Sequence, residues 1–159
     1  MHETFWALYT LNLRYCRRLI KDIDELEMHV QPSPGVNPPA WLLGHLAICT
    51  DYALELVGQE RRLPAAWHEW FGMQTEPINE PGVYPGKEEL WDRHAAGHEA
   101  VAAATRTVSD EVLAQGNPLP IEFLVRALPT TGDLLAHLMT THEAAHLGHL
   151  SNWRRQTGR

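Results

Sequence analysis

The stretch THEAAHLGHL, Thr141 to Leu150, carries the strongest structural signal in the chain. His142 and His146 are four residues apart, so on a helix they share one face and can bind one metal ion. His-Glu-x-x-His is also typical of zinc proteases, in which the glutamate is the general base. A thermolysin-like protease takes a further ligand well downstream, but the residues after His146 contain no Asp, Glu or Cys and only His149. We therefore expect the third ligand to come from upstream, which disfavours a protease.

The three histidines of this stretch share an arc with apolar residues. At about 100° per residue, His142, His146 and His149 fall within roughly 60° of one another. The same stripe contains Leu135, Leu138 and Met139. Burying an imidazole without a partner costs on the order of 1–3 kcal/mol. A shared metal ion would compensate that cost.

A matching histidine occurs far upstream. His45 lies in the middle of the apolar stripe of another predicted helix, beside Trp41, Ile48 and Tyr52. Three neutral imidazoles, those of His45, His142 and His146, suit Zn²⁺ or Ni²⁺ and leave a position free. His149 is a fourth ligand, a hydrogen-bond partner of a ligand, or a pocket-lining residue, and Cys49 is a further ligand or a small hydrophobe. The ordinary pKa of histidine, about 6.5, predicts that metal binding weakens below that pH.

The remaining helices follow from apolar periodicity and breakers. We expect four long helices at about 3–28, 37–58, 87–114 and 132–156. Asn37 is the predicted N-cap of the second, with Pro38 at its first position, and Thr130 or Thr131 caps the last. The connection 59–86 contains aromatic residues that predict a short helix at 64–71. The sequence therefore predicts an all-α fold, a four-helix bundle with a long excursion between helices two and three, as a single domain over 1–159.

Other histidines and one glutamate have less specific interpretations. His94 and His98 repeat the four-residue spacing on the third helix, where core residues or a second metal site are the alternatives. Glu143 lies off the ligand face and is predicted to be solvated or to bond a ligand. Surface or loop positions are expected for His2, His29, His68 and His137. The metal-site pocket is predicted to be lined by Trp41, Tyr52, His149 and Trp153.

Composition excludes several classes of function. The formal net charge of −7 over 159 residues argues against nucleic-acid binding, which needs a basic surface. No apolar run approaches the length of a membrane span, and no signal-peptide pattern is apparent at the first residues. The two cysteines do not form a disulfide framework. A cytoplasmic protein is the simplest expectation.

Two stretches together resemble a known family. Asn37 to Leu46, NPPAWLLGHL, resembles the W-x-x-x-H-L start of helix two in the DinB/YfiT-like superfamily, and Thr141 to Leu150 resembles its H-E-x-x-H-x-G-Q-L signature. The likeness implies an up-down-down-up bundle, a divalent metal held by His45, His142 and His146, and a homodimer. Some members are thiol-dependent S-transferases or isomerases that use mycothiol, bacillithiol or glutathione. His149 stands where the family usually has glutamine.

Two functions follow. The first is a metal-dependent S-transferase or hydrolase acting on a small substrate or thiol, with His149 or Tyr52 positioning the reactants. The second is a non-catalytic, metal-stabilised binding or stress-response module. An open coordination position favours the enzyme, and a site closed by a fourth protein ligand favours the module.

Overall fold

The computed structural model describes residues 3–159. Within these residues helices joined by loops and turns form the structure, and there is no β-strand. The α-helices are α1 (Glu3–Ile20), α2 (Pro39–Leu56), α3 (Ala65–Phe71), α4 (Lys87–Thr107), α5 (Asp110–Leu113), α6 (Glu122–Ala127), α7 (Thr131–His137) and α8 (Glu143–Gln156). A 3₁₀ segment covers Glu25–His29, and a π-helical segment, Leu138–His142, joins α7 to α8. A single β-bridge pairs Gly116 with Thr130. The predicted all-α fold class is confirmed.

Four long helical segments pack around the core. They are α1, α2, α4 and the continuous helix formed by α7, the π-helical segment and α8. α2 contacts α4 and α8, and α1 also contacts both. α3 packs on α2 as well, so α2 is buried along nearly its whole length. None of the helices in residues 3–159 is long and apolar enough to cross a membrane.

The first helix is shorter than predicted. It ends at Ile20, and the chain turns before the 3₁₀ segment, where the backbone N–H of Asp24 donates to the Glu27 carboxylate at 2.9 Å. The Glu27 N–H in turn donates to the Asp24 backbone carbonyl at 2.9 Å. This reciprocal pairing of residues three apart marks a new helix start. Leu8, Tyr15 and Leu26 recur at helical spacing in the sequence of the predicted first helix, but all three are exposed, Leu26 by 73%.

The other boundaries shift by a few residues. Pro38, rather than Asn37, is the N-cap of α2, and that helix ends at Leu56. α4 ends at Thr107 because Ser109 caps the new helix α5, its hydroxyl accepting from the Val112 N–H. The last helix begins as predicted, because the Thr130 hydroxyl accepts from the Asp133 N–H at 3.1 Å.

Gly97 sets the distance between α2 and α4. A Cβ at this position would lie 2.8 Å from the Thr50 Cβ, so alanine needs the helices to separate. We expect Gly97→Ala to lower the free energy of unfolding by about 1–3 kcal/mol. Gly148→Ala is the matched control, since its Cβ would enter open space and should stabilise the helix by up to about 1 kcal/mol. Urea unfolding measures both, and an unchanged Gly97→Ala would contradict the close packing.

Candidate metal centre

His45 is held by α2 and oriented by α3. Its side chain is buried, and its Nδ1 lies 2.7 Å from the Phe71 carbonyl oxygen at the end of α3. Because a carbonyl only accepts, Nδ1 carries the proton and Nε2 keeps its lone pair. The Trp41 ring stacks on the imidazole with centroids 4.8 Å apart. His45 is therefore fixed in one tautomer and one orientation.

His142 and His146 lie at the junction of the π-helical segment and α8. Their Nε2 atoms are 3.2 Å apart. The π-helical turn is stabilised from α1, because the Asn12 side-chain amide donates to the Thr140 carbonyl at 3.2 Å. Single π-helical turns occur frequently at functional sites.

The structure brings the three predicted residues together. One ring nitrogen from each of His45, His142 and His146 lies within 4.8 Å of the others, and this group could hold a metal ion. The His45 ring centroid is 5.4 Å from that of His142 and 4.6 Å from that of His146. No other group of three such residues within residues 3–159 has this spacing.

The three imidazoles are kept neutral. Burial, together with the smaller effect of neighbouring histidines, lowers the pKa of His146 to about 2 and that of His142 to about 4. Burial also lowers the pKa of His45. Neutral imidazoles are the form that binds metal. Protons therefore compete less for this site than the ordinary histidine pKa suggests, and the expected weakening below pH 6.5 moves to lower pH.

The two candidates for a fourth ligand lie outside the group of three. The Cys49 Sγ is 3.6 Å from the His45 Nε2, but burial raises the pKa of its thiol to about 12, so it is protonated at neutral pH. His149 is exposed, and its ring centroid is 5.5 Å from that of His146. The group of converging side chains therefore consists of three imidazoles, those of His45, His142 and His146.

A cavity of about 300 Å³ adjoins two of these imidazoles. It lies between the last helix and the segment 119–124, and His45, His142 and Tyr52 line it. Of the predicted lining residues, only Tyr52 takes part. Trp41 instead stacks on His45, and Trp153 is buried in the core, where its indole N–H donates to the Val30 carbonyl at 2.7 Å.

Glu143 faces away from this cavity, into the core, so both predicted alternatives, a solvated carboxylate and one bonded to a metal ligand, are wrong. Its Oε1 lies 3.4 Å from the His94 Nε2 and 3.7 Å from the His98 Nε2. Burial raises the pKa of Glu143, but the two histidines outweigh it and the pKa is lowered. The three side chains form a buried polar cluster between α4 and α8. His94 and His98 are core residues that belong to no metal-capable group of three.

Several other histidines differ from expectation. His29 is buried, and the His68 Nε2 lies 3.0 Å from the buried Asp51 carboxylate. His137 is half-buried and lines the cavity, with its Nδ1 2.6 Å from the Thr141 hydroxyl oxygen. His2 lies outside the described residues.

Two contributors to the site were not identified from the sequence. The Phe71 backbone carbonyl is one, because main-chain acceptors leave no sequence signal. The other is the segment 119–124, in which Leu119, Ile121 and Leu124 form the outer wall of the cavity. Its alternation of apolar residues with Pro120 and Glu122 is a weak signal for a segment with one buried face.

Comparison with known proteins agrees with this architecture. The chain resembles a conserved protein of a locus from Enterococcus faecalis, whose crystal structure superposes with a TM-score of 0.75 at 17% identity. The match covers 99% of this chain and 97% of that one, and it shows a shared fold. No curated protein is significantly similar in sequence. The model of the DinB superfamily matches residues 8–150. The chain therefore belongs to the DinB superfamily.

Proposed function

We propose that the protein binds one divalent metal ion, Zn²⁺ or Ni²⁺, through His45, His142 and His146 and acts on a small substrate as an S-transferase or hydrolase. The observation that carries the proposal is the convergence of three neutral imidazoles, one buried and two half-buried, beside a cavity. Three imidazoles with no fourth protein ligand in the group are typical of catalytic rather than structural zinc sites.

The donor set fits such a metal. Two buried Nε2 atoms 3.2 Å apart repel through their lone pairs unless a proton or a cation lies between them. The Nδ1 atoms of His142 and His146 have no hydrogen-bond partner among the described residues, whereas the His45 Nδ1 has the Phe71 carbonyl. His45 thus has the outer hydrogen bond that usually orients a ligating histidine.

The chain's own groups would position the reactants. A bound metal lowers the pKa of a coordinated water or thiol. Tyr52 lines the cavity, and burial raises the pKa of its phenol, so the hydroxyl is a protonated hydrogen-bond donor at neutral pH. We assign Tyr52 the role of orienting a substrate oxygen. His149, exposed beside His146, lies where it would meet a larger substrate or thiol.

Metal-dependent turnover tests this proposal. Metal-free and Zn²⁺- or Ni²⁺-loaded protein would be assayed for S-transfer from glutathione, bacillithiol and mycothiol to 1-chloro-2,4-dinitrobenzene and for hydrolysis of 4-nitrophenyl acetate. We expect turnover only in loaded protein, with its loss on chelation and recovery on reloading. Binding of the metal without metal-dependent turnover would favour the non-catalytic module.

Gly44 lets the Phe71 ring pack closely on α2, which positions the Phe71 carbonyl that accepts from His45. A Cβ on Gly44 would lie 2.5 Å from three Phe71 ring atoms, so Gly44→Ala should displace Phe71 together with its carbonyl. We expect metal affinity to fall by about 10- to 100-fold, the usual effect of losing an outer hydrogen bond. Gly97→Ala is the matched control, because it crowds α2 elsewhere and should cost stability alone. A competition titration with a coloured chelator distinguishes them, and equal affinities in the two variants would contradict this role.

A further inference from the structure

Aliphatic side chains make up just over half of the lining of the cavity beside the histidines. Its apolar lining residues are Met73, Leu119, Ile121, Leu124, Leu134 and Leu138. Leu119, Ile121, Leu124 and Leu138 are half-buried, and Met73 is 63% exposed, so the cavity opens to solvent at Met73. Its volume of about 300 Å³ lies at the small end of the range for ligand pockets.

No Lys, Arg, Asp or Glu of residues 3–159 lines this cavity. Away from the proposed metal, a charged group placed in it would lose hydration without gaining an ionic partner, which is costly. The polar side chains that line it are those of His45, Cys49, Tyr52, His137 and His142. Residues 3–159 give the Tyr52 hydroxyl no hydrogen-bond partner. The Tyr52 ring packs against the hydrophobic core and contacts the His68 ring and the Arg61 guanidinium.

We propose that the ligand of this cavity is a small, uncharged molecule with an apolar body and a single donor atom directed at the histidines. The apolar body lies against Leu119, Leu124 and Leu138, and the Tyr52 hydroxyl donates to an oxygen on the ligand. Any charged part of a thiol cofactor stays outside, beyond Met73. The donor atom of the ligand rests on the proposed function, whereas its apolar body rests on the cavity alone.

The apolar part is tested on metal-free protein with the neutral fluorescent probe N-phenyl-1-naphthylamine. We expect saturable binding, weakened about tenfold or more by Met73→Asp and by Leu124→Asp, since each places a carboxylate against the bound body. Phe123→Asp is the matched control, because Phe123 is 71% exposed beside Leu124 and does not line the cavity. Its effect should be less than about twofold. Circular dichroism verifies folding, and the exposed position of Met73 keeps that variant informative if Leu124→Asp unfolds.

The donor atom is tested on Co²⁺-loaded protein with two thiols of different body. Benzyl mercaptan should produce the thiolate-to-Co²⁺ absorption band at a concentration at least about tenfold lower than 2-mercaptoethanesulfonate does. Equal half-saturation by the two thiols, or probe binding that Met73→Asp and Leu124→Asp leave unchanged, overturns the proposed ligand class. If the probe binds as expected but Co²⁺-loaded protein shows no thiolate-to-Co²⁺ band, the metal-centred function and the ligand atom directed at the histidines are overturned. The apolar cavity then still stands as a binding site.

Discussion

Replacing His142 by alanine should remove most of the metal affinity, by a factor of more than about 100. His142 supplies one of the three converging nitrogens, and its Nε2 is 3.2 Å from that of His146. With two imidazoles left, the site no longer has the three protein ligands that zinc enzymes use. Competition titration of Zn²⁺ against a chromophoric chelator, on the wild type and His142→Ala, measures the loss.

Two neighbouring histidines provide matched controls. His137 and His149 flank the site on the same helix but lie outside the group of three. His137→Ala and His149→Ala should each retain Zn²⁺ within about threefold of the wild type, by the same titration. His149→Ala should instead alter the binding only of substrates or thiols that extend beyond the cavity, which His149 does not line. Loss of Zn²⁺ in His149→Ala comparable to that in His142→Ala would make His149 a ligand and favour the closed, non-catalytic site.

The metal-free protein should lose about 4 kcal/mol of unfolding free energy between pH 7.5 and pH 5. Burial holds the pKa of His142 near 4 and that of His146 near 2 in the folded chain, against about 6.5 when unfolded. Between these values the unfolded chain binds more protons than the folded one, so stability is full above about pH 6.5 and falls as the pH drops below it. Each unit of pKa difference contributes about 1.4 kcal/mol.

Urea unfolding at a series of pH values measures this slope. The double variant with His142→Gln and His146→Gln should show a much flatter dependence, whatever its absolute stability. The carboxylates with lowered pKa values, those of Asp22, Glu27 and Glu143, act only below their ordinary values of about 4, outside this window. An equal slope in wild type and double variant would show that these imidazoles are not buried as described.

Much of the fold was predictable because apolar periodicity and caps are local signals. The all-α class and the start of the last helix at Thr130 followed from the sequence. The convergence of His45 with His142 and His146 was also predicted, since a polar ring inside an apolar stripe is conspicuous. The end of α1 was missed because Leu26 continued the apolar spacing beyond the point where Asp24 and Glu27 start a new segment.

The orientation of the last helix could not be predicted beyond the π-helical segment. A helical projection at a constant 100° per residue assumes no inserted residue, whereas a π-helical turn adds one and rotates everything after it by about 100°. Leu135 and Met139 face the core before the turn, and Glu143, Leu147 and Leu150 face it afterwards. His149 and Ala145 are consequently exposed, and His142 and His146 lie at the edge of the core beside the cavity.

X-ray absorption spectroscopy of the Zn²⁺-loaded protein tests the central claim most directly. We expect one Zn²⁺ per chain with three imidazole nitrogens at about 2.0–2.1 Å and a non-protein oxygen completing the shell. The spectrum should change when benzyl mercaptan is added, with a sulfur appearing at about 2.3 Å. A shell of four imidazoles, or a sulfur neighbour in the absence of added thiol, would contradict an open site built from His45, His142 and His146.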